Sequence, residues 1–100
     1  MDQCLTALKR EFSQEPYAQL LGIEIIELEA GHAILRMRTK ESMSNLFGTV
    51  HGAAIYSLLD AAFELTVNSH GTVAVALGVN VHYLSSAHPG EILLAEGREI

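Results

Sequence analysis

The chain has 100 residues, 49% of them apolar and 18% charged, with six Lys and Arg, twelve Asp and Glu, five His and one Cys. That length holds one hydrophobic core rather than two, and the apolar share is that of a folded globular domain, not a disordered chain. The net charge of −6 argues against a nucleic acid or an anionic membrane surface as main partner.

No stretch approaches the length needed to cross a bilayer, and the first fifteen residues contain no uninterrupted apolar run, so neither a membrane span nor a signal peptide is expected. Cys4 stands alone, which permits no internal disulfide and fits a reducing, cytoplasmic setting. It is expected to be a structural thiol rather than a nucleophile.

In chain order, Cys4, Leu5, Leu8 and Phe12 recur at helical spacing, so residues 3–12 are predicted as an amphipathic helix, closed by Pro16. Residues 21–28 interleave Ile and Leu with Glu and predict a strand whose alternation falters at Ile25 and Ile26. A turn at Ala30 and Gly31 joins it to a second strand over residues 32–39, making a hairpin. Residues 41–49 predict a loop. Residues 50–68 predict one long helix, apolar nearly all round and so buried on most of its circumference, with Gly71 as its C-terminal cap.

Residues 73–84 carry the cleanest strand pattern. Val73, Val75, Leu77, Val79, Val81 and Tyr83 fall on one face, and Ala74, Ala76, Gly78, Asn80 and His82 on the other. After a turn at residues 88–90, residues 91–100 begin another strand. This order predicts a single α+β domain over residues 1–100, its antiparallel sheet wrapped around the long helix. The chain stops in mid-strand, which predicts that the natural protein continues past Ile100.

Chemistry points to residues 45–60. A polar, glycine-flanked His51 stands just ahead of an apolar helix that carries one carboxylate, Asp60, among greasy neighbours. An ionisable group in such surroundings is costly unless paired or used. The pattern Asn45-x-x-Gly48-x-x-His51-Gly52-Ala53 followed by Asp60 resembles the hotdog-fold acyl-CoA thioesterases of the PaaI (phenylacetyl-CoA thioesterase) type. Support comes from Asn68-Ser69-His70-Gly71, Val79-Asn80-Val81, and Tyr83-Leu84 through Gly90-Glu91. The resemblance runs from about Tyr17 to Ile100.

It implies hydrolysis of an acyl- or aryl-acyl-CoA thioester, with no cofactor apart from the CoA of the substrate. The helix carboxylate, matching Asp60, acts as general base or nucleophile. The backbone N–H matching Gly52 polarises the carbonyl, with His51 nearby and Asn45 positioning substrate or water. Gly48 and Ala53 border the substrate. The family works as homodimers or dimers of dimers with sites at the subunit interface. Three departures stand out: Ala53 replaces the usual second Gly, Ala76 occupies a position where some relatives carry Ser or Thr, and two further strands of the family pattern are missing.

Elementary chemistry fits this pattern. A helix start supplies unpaired N–H groups and a positive dipole end, and Gly52 lets a carbonyl approach them. Burial and Glu64, four residues on, are expected to make Asp60 a stronger base. Asp60 follows His51 by nine residues, about 13 Å along a helix and half a turn around it. If both act on one carbonyl they come from different chains, which predicts a symmetric dimer with two composite sites.

Other descriptions compete. Asp60 can be a structural carboxylate, His51 a helix-start residue whose ring donates to a carbonyl, and Asn45 a turn residue bonding its own loop. Coenzyme A phosphates call for cations. Arg36 and Arg38 share a strand face and either line a phosphate path or form an ordinary solvated surface. His32, His51, His82 and His88 lack the spacing of a zinc site, so no metal is expected. The alternative functions are a non-catalytic acyl-CoA binding or sensing module and a hotdog hydratase or dehydratase.

Overall fold

The computed structural model describes residues 3–100. Helix α1 (Gln3–Ser13) turns Phe12 into the core. Pro16 does not merely close it. It opens a second short helix, α2 (Pro16–Leu21), because the first turn of a helix needs no N–H from that position. Gly22 ends α2 in the left-handed conformation at φ +70°, its N–H on the carbonyls of Ala18 and Gln19. The predicted first strand therefore starts late.

Strands β1 (Glu24–Glu29) and β2 (His32–Arg38) form the predicted hairpin, turning at Gly31 with φ +75°. Their register slips between Ile25 and Glu27. The faltering alternation at Ile25 and Ile26 is thus a β-bulge: one extra residue that restores the inward set on either side. A 3₁₀ turn (Glu41–Met43) leads into the loop, then α3 (Gly52–Val67) crosses the sheet and β3 (Ile92–Arg98) pairs antiparallel with β2. The sheet order is β1-β2-β3.

Ala33, Leu35 and Met37 of β2 and Ala95 of β3 meet Ala54, Leu58, Ala62 and Leu65 of α3 in one core. The approach is closest at Gly97. A Cβ there would collide with Thr66 Oγ1 and stand 2.9 Å from the Ala62 carbonyl oxygen. Thr66 Oγ1 itself donates to that carbonyl at 2.7 Å. One turn later the buried Ser69 Oγ accepts from Gly31 N–H at 2.7 Å and donates to the Thr66 carbonyl at 2.6 Å, tying the hairpin turn to the end of α3. The helix is capped at Asn68, and Gly71, predicted as the cap, serves the turn beyond it with φ +88°.

The strand predicted over residues 73–84 forms no ladder. Asn68 clamps its start, donating from Nδ2 to the Ala74 carbonyl and accepting Ala74 N–H at Oδ1. Val50 N–H holds its end through the Ala87 carbonyl at 2.8 Å. Between these points residues 75–86 make no backbone hydrogen bond to any described residue. Val73, Val75 and Leu77 are almost wholly exposed. Alternation sorts side chains to two faces, but a ladder needs a neighbouring strand, and none lies alongside among the described residues. For the same reason α3 is not buried nearly all round: Leu59 and Phe63 stay 39% and 37% exposed.

Because β3 passes α3 at Gly97 with no room for a methyl group, Gly97→Ala is expected to lose roughly 1–3 kcal/mol of stability. Gly78→Ala, with nothing within 4 Å of the added carbon, is expected to lose none of this packing. Chemical denaturation of the two variants side by side checks the contrast.

Candidate active site

The loop ahead of α3 is closed by an antiparallel bridge between Ser44 and Val50. Asn45 holds its interior. Its Oδ1 accepts the N–H groups of Phe47 (2.9 Å) and Thr49 (3.1 Å), and its Nδ2 donates to Thr49 Oγ1 at 2.8 Å. Asn45 is therefore the turn residue bonding its own loop, and one Nδ2 hydrogen is left over. Gly48 turns at φ +80°, where a side chain would strain the backbone. Leu46 and Phe47 stand out at the loop tip, exposed.

This loop delivers the chain to His51, whose own N–H reaches the Met43 carbonyl at 2.7 Å. His51 is the N-cap of α3. Its Nδ1 accepts from Ala53 N–H at 2.9 Å. The competing helix-start reading had the ring donating to a carbonyl; instead it accepts, because helix starts offer surplus donors and not surplus acceptors. In the neutral ring the proton then sits on Nε2. The Gly52 N–H, first in the helix, has no acceptor among the described residues. It opens on a groove lined by Ser44, Asn45, Leu46, Phe47, His51 and Gly52.

Two residues here escaped the sequence. Tyr83 lays its ring 3.6 Å from where a Gly52 Cβ would stand, and its hydroxyl donates to the Gly52 carbonyl at 3.3 Å. Only the fold brings residue 83 back to residue 52. Ser44 lines the groove and buries its Oγ without a partner among the described residues, a property no sequence pattern carries.

Asp60 lies elsewhere. With Glu15, Tyr17, Tyr56, Ser57 and Glu64 it lines a cavity of about 100 Å³ between α2 and α3. Ser57 Oγ donates to the Ala53 carbonyl at 2.8 Å, so the Tyr17 hydroxyl is the donor in its 2.8 Å bond to Ser57. The expected burial of Asp60 is not found: Asp60 is exposed, and the burden falls one turn later. Burial first, then a hydrogen bond and the charge of Glu15, then the charge of Asp60, push the Glu64 carboxyl from 4.5 up to about 7.

The groove and the cavity share no lining residue, so one chain does not bring Asp60 to the Gly52 N–H. Ala53 is exposed, its N–H held by His51. Arg36 and Arg38 project from the face of β2 opposite its buried Ala33, Leu35 and Met37, away from α3. Arg36 pairs with Glu24 at 3.2 Å, and neither Arg lines groove or cavity. Among the described residues no group of three His, Cys, Asp or Glu is placed to hold a metal ion, and no helix is long and apolar enough to cross a membrane.

The helix start thus offers a backbone donor to a groove, and the same long helix carries a carboxylate eight residues on. The chain belongs to the thioesterase superfamily: residues 47–100, more than half of it, match that family. It is 37% identical over 89 residues to a relative from Archaeoglobus fulgidus, covering 89% of this chain and 58% of that protein. It is 33% identical over 84 residues to acyl-coenzyme A thioesterase PaaI of Escherichia coli, covering 84% of this chain and 60% of that one.

The solved PaaI structure, from the phenylacetic acid degradation operon, superposes with a TM-score of 0.86 at 32% identity, covering 94% of this chain and 66% of that one. A Streptococcus mutans protein solved bound to acetyl CoA superposes with a TM-score of 0.73 at 33% identity, covering 76% and 61%. The fold is the hotdog fold. The chain spans about three fifths of the length of the curated relatives it matches.

A carboxyl whose affinity for protons is higher in the folded state stabilises the fold below its ordinary pKa, and that stability is lost as pH rises through the folded value. For Glu64 the window runs from 4.5 to about 7. Thermal unfolding of the natural chain is expected to fall across that window, and Glu64→Gln to remove most of the fall. A pair of melting series in matched buffers measures it.

Proposed function

We propose that the protein hydrolyses an acyl- or aryl-acyl-CoA thioester to the free acid and CoA. Membership of the thioesterase superfamily and likeness to PaaI support the class of reaction. The neighbour solved with acetyl CoA supports the carrier. The observation that carries the proposal is the Gly52 N–H: a donor at the positive end of a 16-residue helix, lacking an acceptor among the described residues and lining an open groove.

In this mechanism the thioester oxygen accepts from Gly52 N–H, and the helix start stabilises the charge that grows on it. The neutral His51 ring turns its remaining N–H, on Nε2, to the same groove. The leftover Nδ2 hydrogen of Asn45 orients substrate or water beside it. Asp60 takes a proton from water as the water oxygen bonds to the carbonyl carbon. The tetrahedral intermediate collapses, the carbon–sulfur bond breaks, and the CoA thiolate leaves with the proton from Asp60. Gly48 keeps the loop tight enough to admit the acyl group, and Ala53 borders it. Arg36 and Arg38 take no part on the surface of one chain.

The two halves of this machinery come from two chains of a homodimer, since one chain separates them. The exposed Leu46, Phe47, Leu59 and Phe63 and the unpaired segment over residues 75–86 provide the apolar surface such a partner would cover. The single Cys suits a reducing, cytoplasmic setting.

Thiol release from a panel of acyl- and aryl-acyl-CoA thioesters tests the proposal. Asp60→Asn is expected to lose roughly 10²–10⁴-fold in kcat with its circular dichroism unchanged. Release undiminished in that variant would return Asp60 to a structural role, and no release by the folded parent would leave acyl-CoA binding without turnover.

Gly52→Pro tests the donor. Proline suits the first helical position but carries no N–H, so helix content should hold while turnover collapses. Mixing that variant with Asp60→Asn is expected to restore about a quarter of the sites, those that take both intact residues from opposite chains of a mixed dimer. Failure to restore any activity in exchanged dimers would place the whole site within one chain.

A further inference from the structure

The Tyr17 hydroxyl reaches from α2 to Ser57 of α3 at 2.8 Å, and Ser57 Oγ donates onward to the Ala53 carbonyl at 2.8 Å. Tyr17 and Ser57 lie 40 positions apart, so no local pattern announces the contact. Both side chains line the cavity that holds Asp60. Ser57 precedes Asp60 by three residues, which puts the two on one face of α3.

The direction of this hydrogen-bonded chain decides what its oxygens can bind. Ser57 spends its proton on Ala53, and Tyr17 spends its proton on Ser57. A hydroxyl has one hydrogen, so both oxygens turn only lone pairs to any further partner. The ionised Asp60 carboxylate is an acceptor too. A carbonyl or carboxylate guest would receive no hydrogen from any of the three. A water molecule brings two hydrogens of its own.

The volume agrees. The cavity measures about 100 Å³, ample for a water, which needs roughly 10–15 Å³ of such space. Ligand pockets run to about 300–1,000 Å³, so an acyl chain with its thioester does not fit inside. Asp60 is itself exposed, which leaves the cavity open to refilling from solvent.

We propose that this cavity holds the hydrolytic water, and that Tyr17 positions it while Ser57 fixes the direction of the phenol proton. The proposal rests on the hydrolytic function above. The water donates one hydrogen to Asp60 and the other to Tyr17 Oη. Its lone pair is left to face the thioester carbon that Gly52 N–H of a second chain polarises. As the water oxygen bonds to that carbon, Asp60 takes the first proton and the carbonyl electron pair moves onto its oxygen. That pair returns as the carbon–sulfur bond breaks. The thiolate leaves with the proton from Asp60, and the second water hydrogen stays on the free acid.

A bond that only docks α2 on α3 would change stability and leave the chemistry alone, and kinetics separate the two roles. Tyr17→Phe keeps the ring and removes the oxygen. With acyl-CoA thioesters it is expected to lower kcat roughly 10- to 100-fold while KM stays within about twofold. Ser57→Ala should lower kcat as well, because the freed phenol proton turns to Asp60 and occupies the base. The double variant should lose no more than the larger single loss, since both hydroxyls act on one water. A crystal structure of the parent should show a water within hydrogen-bond distance of Asp60 and Tyr17 Oη, and that of Tyr17→Phe should lack it.

Parental kcat in Tyr17→Phe, single losses that multiply in the double variant, or a parent cavity without that water overturns the proposal. A raised KM at unchanged kcat would put Tyr17 on the substrate instead and overturns it too. A folded parent that holds the water but releases no thiol overturns the hydrolytic function and leaves the water site standing.

Discussion

Everything in this domain depends on how closely α3 lies on the sheet. Gly97 lets β3 pass within touching distance of the Ala62 carbonyl and Thr66, and a side chain of any size there would lift the helix. Small residues on both sides, Ala33 and Ala95 below and Ala54 and Ala62 above, keep the gap narrow. Interiors packed this tightly transmit position without slack. The start of the helix is thereby aimed at the loop of residues 44–50. Its other side is left for α1 and α2.

Two chemistries are then divided along one rigid rod. The first turn of α3 offers surplus backbone donors, and the loop leaves one of them, the Gly52 N–H, open to the groove. Asp60 stands eight residues later, about 12 Å further along the helix. A rigid helix cannot fold these two onto one carbonyl, so the proposed hydrolysis would take them from two copies. Residues 75–86 lack a backbone partner among the described residues, and Leu59 and Phe63 leave an apolar flank of α3 part-exposed.

Electrostatics follow from where the cations are not. All six Lys and Arg lie before residue 41 or at Arg98, so the middle of the chain gathers acids without a counter-charge. On the outer sheet surface this is harmless, since Arg36 meets Glu24 and Arg98 meets Glu96 in water. Between α2 and α3 it is not. There its own burial and its acidic neighbours push the Glu64 carboxyl up to about 7.

Much was legible from local pattern. Helical spacing marked α1 and α3, alternation marked the hairpin, and its fault at Ile25 and Ile26 marked the bulge. The family pattern singled out Asn45, Gly48, His51, Gly52 and Asp60, and the nine-residue interval already set His51 apart from Asp60. These properties belong to the backbone and to neighbours along the chain, so sequence by itself determined them. What only the tertiary structure decided concerns groups brought from afar: that residues 75–86 find no strand to pair with among the described residues, that Tyr83 covers Gly52, and that Glu64 rather than Asp60 bears the burial. Pairing and desolvation are properties of contacts between distant segments, and no single residue carries them before the chain has folded.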